Sequence, residues 1–140
     1  MTARRIEAFA GRWQITRQIT DRRGGAPGRF TGAALLHADG AGGWIWEESG
    51  QLRLGEGAPL TATRRYLWQE TGARITLLFE DGRYFHSFDP NAARATAQHD
   101  CPPDLYDVTY DFSSWPVWRS HWEVRGPRKD YRMDSWHRRS

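Results

Sequence analysis

Gly11-Arg12-Trp13-Gln14-Ile15-Thr16-Arg17-Gln18-Ile19-Thr20 alternates apolar and polar side chains along most of its length. Trp13, Ile15 and Ile19 share one face at the strand period of two, and Gln14, Thr16, Gln18 and Thr20 take the other. The run reads as a β-strand with one side against a core. Arg17 falls on the apolar side. A guanidinium there requires a buried ion-pair partner or a polar occupant of the interior.

Working outward, Arg4 to Ala10 is expected to form one or two helical turns that plug one end of the fold, with Phe9 as the stopper. The Gly-rich stretch Asp21 to Gly28 is a loop, and Asp39-Gly40-Ala41-Gly42-Gly43 is a turn by composition. Further strands are predicted at Arg29–Ala38, Trp44–Glu48, Gln51–Leu54, Leu60–Glu70, Ala73–Glu80, Arg83–Asp89, Arg94–Cys101, Tyr106–Ser113, Val117–Arg125 and Lys129–Arg138. Asp81-Gly82 marks a hairpin, because glycine supplies the positive φ of a tight primed turn. Many short strands without a long helical pattern predict an all-β fold. The simplest form is an up-and-down antiparallel barrel of about 8–10 strands with a short N-terminal helical turn, since closure removes exposed edges. A β-sandwich is the alternative architecture. No repeat or linker divides the chain, so residues 1–140 are read as one domain.

Gly11-Arg12-Trp13 resembles the G-x-W start of a lipocalin-type barrel. In such proteins a terminal-strand arginine commonly lies across the first-strand tryptophan, and in Ser135-Trp136-His137-Arg138-Arg139 the resemblance assigns that place to Arg138. The strings Phe85-His86-Ser87-Phe88, His99 to Tyr106 and Gly126 to Tyr131 resemble an uncharacterised bacterial family, a domain of unknown function, of small calycin-like barrels. The resemblance implies the fold and an enclosed site, with no activity to carry over. The chain departs from secreted lipocalins in lacking paired cysteines, and Met1 to Ala8, which carry no apolar run, are expected not to act as a signal peptide.

Composition narrows the setting. Lys129 is the only lysine among 20 basic residues, and the net charge is +3. The basic residues are scattered and match no nucleic-acid motif, so nucleic acid is not expected as a partner. No apolar stretch approaches the roughly 20 residues that span a bilayer. The lone Cys101 cannot form an internal disulfide, which agrees with a reducing, cytoplasmic location. A homodimer is left open.

Parity along the strands points several polar side chains inward. Tyr84, His86 and Phe88 share one face, with Phe85 on the other; His99 and Cys101 share a face. Arg17, Arg65, His86, His99, Tyr106 and Lys129 each sit among apolar or aromatic neighbours, with Glu48 available to neutralise a cation. Two readings follow: a self-satisfied ion-pair network, or a site in which Arg17, Glu48, Arg65, His86, His99, Tyr106 and Lys129 converge on an aromatic or apolar small molecule with an anionic head. The enzymatic alternative is an isomerase or cyclase with His86 or His99 as acid–base group and Tyr106 as donor. A metal site on His86, His99 and Cys101 is the weaker reading because paired-ligand spacing is missing. Haem on His121 or His137 is also weaker, because the glycine-rich first strand of haem-binding barrels is absent. No cofactor or metal is expected, and Cys101 is read as a small packed hydrophobe.

Overall fold

In the computed structural model, which describes residues 3–140, the opening alternation is realised as a strand that buries Trp13, Ile15 and Arg17 and exposes Arg12, Gln14, Thr16 and Gln18. The first two residues of the N-terminal segment lie outside the described residues. Ten strands follow one 3-10 turn at Ile6–Phe9: β1 (Gly11–Asp21), β2 (Gly28–Ala38), β3 (Trp44–Leu54), β4 (Leu60–Thr71), β5 (Arg74–Phe79), β6 (Tyr84–Phe88), β7 (Arg94–Cys101), β8 (Asp104–Asp111), β9 (Trp118–Arg125) and β10 (Asp130–Arg139). All ladders are antiparallel, and the sheet order is β6-β5-β4-β3-β2-β1-β10-β9-β8-β7. The chain therefore meanders up and down, and β1 joins its first half to its last strand. The result is a nearly closed all-β barrel whose one seam lies between β6 and β7.

Side chains close that seam where a ladder does not. His86 Nε2 lies 2.7 Å from the Tyr110 hydroxyl on β8, the Phe88 and Tyr110 rings are 4.3 Å apart, and Phe85 meets His99 of β7 edge-on at 5.4 Å. A bulge makes this possible. Leu77 pairs with His86 but Leu78 pairs with Tyr84, so Phe85 is an extra residue in β6. Phe85 and His86 are both fully buried, where strict alternation predicts opposite faces.

A second departure concerns Ser49-Gly50, which the sequence suggests as a break between two strands. β3 runs through it unbroken, and Gly50 pairs with Gly32 of β2. A Cβ on Gly50 would lie 2.3 Å from the Thr31 carbonyl oxygen, and one on Gly32 would lie 2.3 Å from that of Ser49. Both glycines serve close backbone approach, with the Phe30 ring covering the pair, and neither makes a turn.

The end bearing the 3-10 turn is filled by aromatics. Phe9 packs edge-on against Trp68, Phe112, Trp115 and Trp118, and its carbonyl accepts a 2.8 Å hydrogen bond from Trp13 Nε1. Arg139 lies over the Trp13 ring at 3.9 Å and donates to the Ala8 and Ala10 carbonyls. The arginine is thus Arg139, not Arg138. Parity explains the correction: Arg139 continues the Met133, Ser135, His137 face of β10, whereas Arg138 points outward. At the opposite end, Tyr66, Phe79, Phe85, His99, Tyr106 and Trp122 fill the half of the bore next to the seam. The β1–β4 half of that end is left less crowded.

Candidate functional site

The inward face of β1 brings Arg17 to mid-barrel, and that of β3 brings Glu48 beside it. Arg17 donates two hydrogen bonds to the Glu48 carboxylate, Nη1 to Oε1 at 2.9 Å and Nη2 to Oε2 at 3.1 Å, and a third from Nε to Ser135 Oγ at 2.6 Å. Trp46 Nε1 donates to Glu48 Oε2 at 2.9 Å. Burial pushes the Glu48 carboxyl up, but the Arg17 charge and hydrogen bonds, the Trp46 indole and nearby Arg64 outweigh it and hold the pKa at about 2. This pair is a fork-to-fork ion bridge with its own supporting donors.

Arg64 is a second cation on the same inward face, opposite Glu48 in the β3–β4 register. Among the described residues no carboxylate lies within salt-bridge distance of it; its guanidinium rests 5.6 Å over the Trp122 ring. Burial works against its charge, but Tyr66, Glu48 and Tyr131 raise its pKa on balance, so the cation is retained. Arg17 and Glu48 cancel. Arg64 leaves the bore with one excess positive charge.

Two small chambers meet at these residues. The inner one, about 30 Å³, is walled by Trp46, Tyr66, Trp68, Tyr110, Trp118 and His137; the outer, about 80 Å³, is walled by Ile19, Phe30, Leu52 and Ala62. Arg17, Glu48, Arg64 and Met133 line both. His137 is 2% exposed and stacks on Trp118 at 3.6 Å, with Nδ1 3.2 Å from the Trp118 carbonyl oxygen. Burial brings its pKa down to about 3, so the ring is neutral. Because Nδ1 faces an acceptor it carries the proton, and Nε2 is left with a lone pair.

The residues expected from the sequence do not converge on one cavity. Arg17 and Glu48 meet at its centre. His86 is fully buried but is committed to Tyr110 at the seam, with burial bringing its pKa down to about 3. His99 and Tyr106 belong to the aromatic packing near the seam. Arg65 and Lys129 are corrections. Arg65 points outward to Glu47 at 3.0 Å, because it stands one residue out of phase with Arg64. Lys129 precedes β10 in the β9–β10 loop, is exposed, and bonds Asp104 at 3.1 Å. Sequence reasoning missed Arg64, Trp68, Tyr110 and Trp118 as cavity residues, and singled out His137 only as a haem ligand. The available signal for Arg64 was the β3–β4 hairpin register, which sets it opposite the inward Glu48. Among the described residues, no group of three or more His, Cys, Asp or Glu side chains lies together as a metal site would require, and none of the helices is long and apolar enough to cross a membrane.

A nearly closed antiparallel barrel, opened by a buried Gly-x-Trp strand and holding a polar cluster in its bore, defines a lipocalin-like protein. The chain belongs to the family of unknown function DUF6314, whose model matches residues 9–139. No curated protein matches it. Among solved structures it is similar to the S-type phycobiliprotein lyase CPES from Guillardia theta, with a TM-score of 0.62, 9% identity, and coverage of 94% of this chain and 86% of that one. It is also similar to a protein of unknown function of the DUF3598 family from Nostoc punctiforme, with a TM-score of 0.61 and 10% identity. That match covers 98% of this chain and 49% of the other, so the present chain spans about half its length. At these identities the likeness shows the fold.

Proposed function

We propose that the barrel binds a small apolar or aromatic molecule carrying an anionic head, with the head beside Arg64 and the tail along Ile19, Phe30, Leu52 and Ala62. The observation that carries this reading is the excess cation. Arg17 has its carboxylate, its serine and a tightly held geometry; Arg64 faces the same interior with an aromatic ring and no anion. A partly buried guanidinium without a counter-ion is stabilised by an incoming anion, and charge-assisted hydrogen bonds there contribute about 1.5–3 kcal/mol each. The self-satisfied network describes Arg17 and Glu48 well. It does not describe Arg64.

Binding is favoured over acid–base catalysis by the state of the titratable pair. His86 and Tyr110 are within hydrogen-bond reach, but burial lowers the histidine to about 3 and raises the phenol well above its ordinary value. Neither group moves a proton readily near neutral pH. The chambers are smaller than the 300 Å³ or so of an ordinary ligand pocket, so occupation by an extended tail requires the Met133 side chain between them to swing aside. The fold shared with a phycobiliprotein lyase does not choose the chemistry. The same reading keeps residues 1–140 as one domain and the cytoplasm as its setting.

The test is calorimetric titration with 4-phenylbutyrate and its uncharged analogue 4-phenylbutanol. The acid should bind more tightly, and Arg64→Met should abolish the difference while leaving the alcohol unaffected. Equal affinity for acid and alcohol in the unsubstituted protein would overturn the proposal.

A further inference from the structure

Resting on that reading, the structure assigns the inner chamber as the head-group subsite for a planar monocarboxylate, with the Trp68 and Trp118 indole N–H groups as its donors alongside Arg64. Three observations converge. Trp68 and Trp118 are each 2% exposed, both wall the inner chamber, and Nε1 of each is buried without a protein acceptor. The third indole of that wall, Trp46, shows what such a donor does when an acceptor is available: it bonds a carboxylate oxygen, Glu48 Oε2, at 2.9 Å. Unmet buried donors are uncommon in folded proteins because each retains its desolvation penalty, and both of these belong to residues that wall one chamber.

Charge and volume then select the anion. The chamber walls carry one positive charge in excess, Arg17 being neutralised by Glu48 and His137 being neutral, so a monoanion balances it and a dianion overshoots. About 30 Å³ accommodates roughly two water-sized groups, which suits the two oxygens of a carboxylate better than the three terminal oxygens of a phosphate monoester. The lone pair on His137 Nε2 and the Glu48 carboxylate further disfavour a second negative charge at the same place. Along β4, Arg64 lies four residues from Leu60, which is 57% exposed at the rim. At about 3.3 Å per residue, an unbranched tail of roughly 13 Å runs from the head group past Ala62 and Leu52 to the exposed Leu60 and Leu54. The ligand class is therefore an amphipathic monocarboxylic acid with a narrow tail.

Decanoate, decyl phosphate and decanol share one tail and isolate the head. Titrated into protein labelled with ¹⁵N in its tryptophan indoles, decanoate should shift the Trp68 and Trp118 N–H resonances downfield, each assigned from its Trp→Phe variant, and should bind at least tenfold more tightly than decyl phosphate. Trp118→Phe keeps the ring stacked on His137 and should weaken decanoate roughly tenfold with decanol unchanged. Decyl phosphate binding as tightly as decanoate, or decanoate binding through Arg64 with both indole signals unmoved, overturns the carboxylate subsite and leaves the anionic-head reading standing. Decanol binding as tightly as decanoate removes both. Should either phenylalanine variant fail to fold, its indole resonance is assigned instead from through-space contacts to its aromatic neighbours, and the shifts of the unsubstituted protein still decide the matter.

Discussion

Lowering the pH from 7 to 5 should destabilise this barrel by about 4 kcal/mol, because two of its histidines are buried in the neutral form. His86 is fully buried among Phe85, Phe88 and Tyr110, with His99 the nearby titratable group that disfavours its charge. His137 lies between Trp46 and Trp118, with Glu48 favouring and Arg17 disfavouring its charge. For both, burial is the dominant cause and the pKa falls to about 3. In the unfolded chain a histidine titrates near 6.5, so between 6.5 and 3 the unfolded state binds more protons than the folded one. The stability from each group is complete above 6.5 and is lost as the pH falls towards 3. At pH 5 the loss is about 1.5 pH units at 1.36 kcal/mol, or roughly 2 kcal/mol per histidine. Against a total of about 5–15 kcal/mol this is a large fraction. Urea unfolding followed by tryptophan fluorescence at both pH values, at fixed ionic strength, measures it directly; with a slope near 2 kcal/mol/M the midpoint should move by about 2 M. His137→Phe preserves the stack on Trp118 and should halve the pH dependence. Equal midpoints at pH 7 and 5 would refute the reasoning, as would a variant with the same pH dependence as the parent.

Three further outcomes are expected. Glu48→Gln leaves Arg17 buried without its counter-ion and should cost about 3–5 kcal/mol by chemical denaturation, whereas the double change Arg17→Met with Glu48→Met should cost clearly less than the single one. Gly50→Ala drives a methyl into the Thr31 carbonyl and should destabilise by about 1–3 kcal/mol, with a shifted β2–β3 register visible in backbone amide exchange if the strands separate to relieve the clash. Cys101→Ser, at the partly buried end of β7, should leave 4-phenylbutyrate affinity within twofold in the same titration; a larger loss would show that the thiol reaches the site.

What could be read in the sequence depended on how many strands an inference had to cross. The buried face of β1 follows from its own alternation, so Trp13, Ile15 and the anomalous Arg17 are legible without a partner strand. The plug residue Phe9 and most strand limits follow from composition and turn residues in the same local way. Failures arise where the period of two is broken or undecided. The extra residue at Phe85 turns two consecutive side chains inward, and nothing in Tyr84-Phe85-His86-Ser87-Phe88 marks a bulge, because both faces of the run contain aromatics. Gly50 reads as a break because glycine usually ends strands. Its actual reason, the backbone of β2 pressed against it, lies 18 residues away at Gly32.

The choice between Arg64 and Arg65 shows why the site in particular was hard to see. Tyr66, Leu67 and Trp68 follow without a polar residue among them, so within β4 alone either arginine can be assigned to the interior. Pairing decides it. Cross-strand partners project to the same side of a sheet, and the hairpin register that sets Leu52 opposite Leu60 also sets Glu47 opposite Arg65 and Glu48 opposite Arg64. Once Trp44, Trp46 and Glu48 are recognised as one face of β3, Arg64 must be inward and Arg65 outward. The sheet's own charge logic then separates the two pairs. Outside, Glu47 and Arg65 satisfy each other in water at little net gain. Inside, Glu48 turns to Arg17 of β1, and its cross-strand neighbour Arg64 is left without a carboxylate partner, the observation on which the proposed anion site rests.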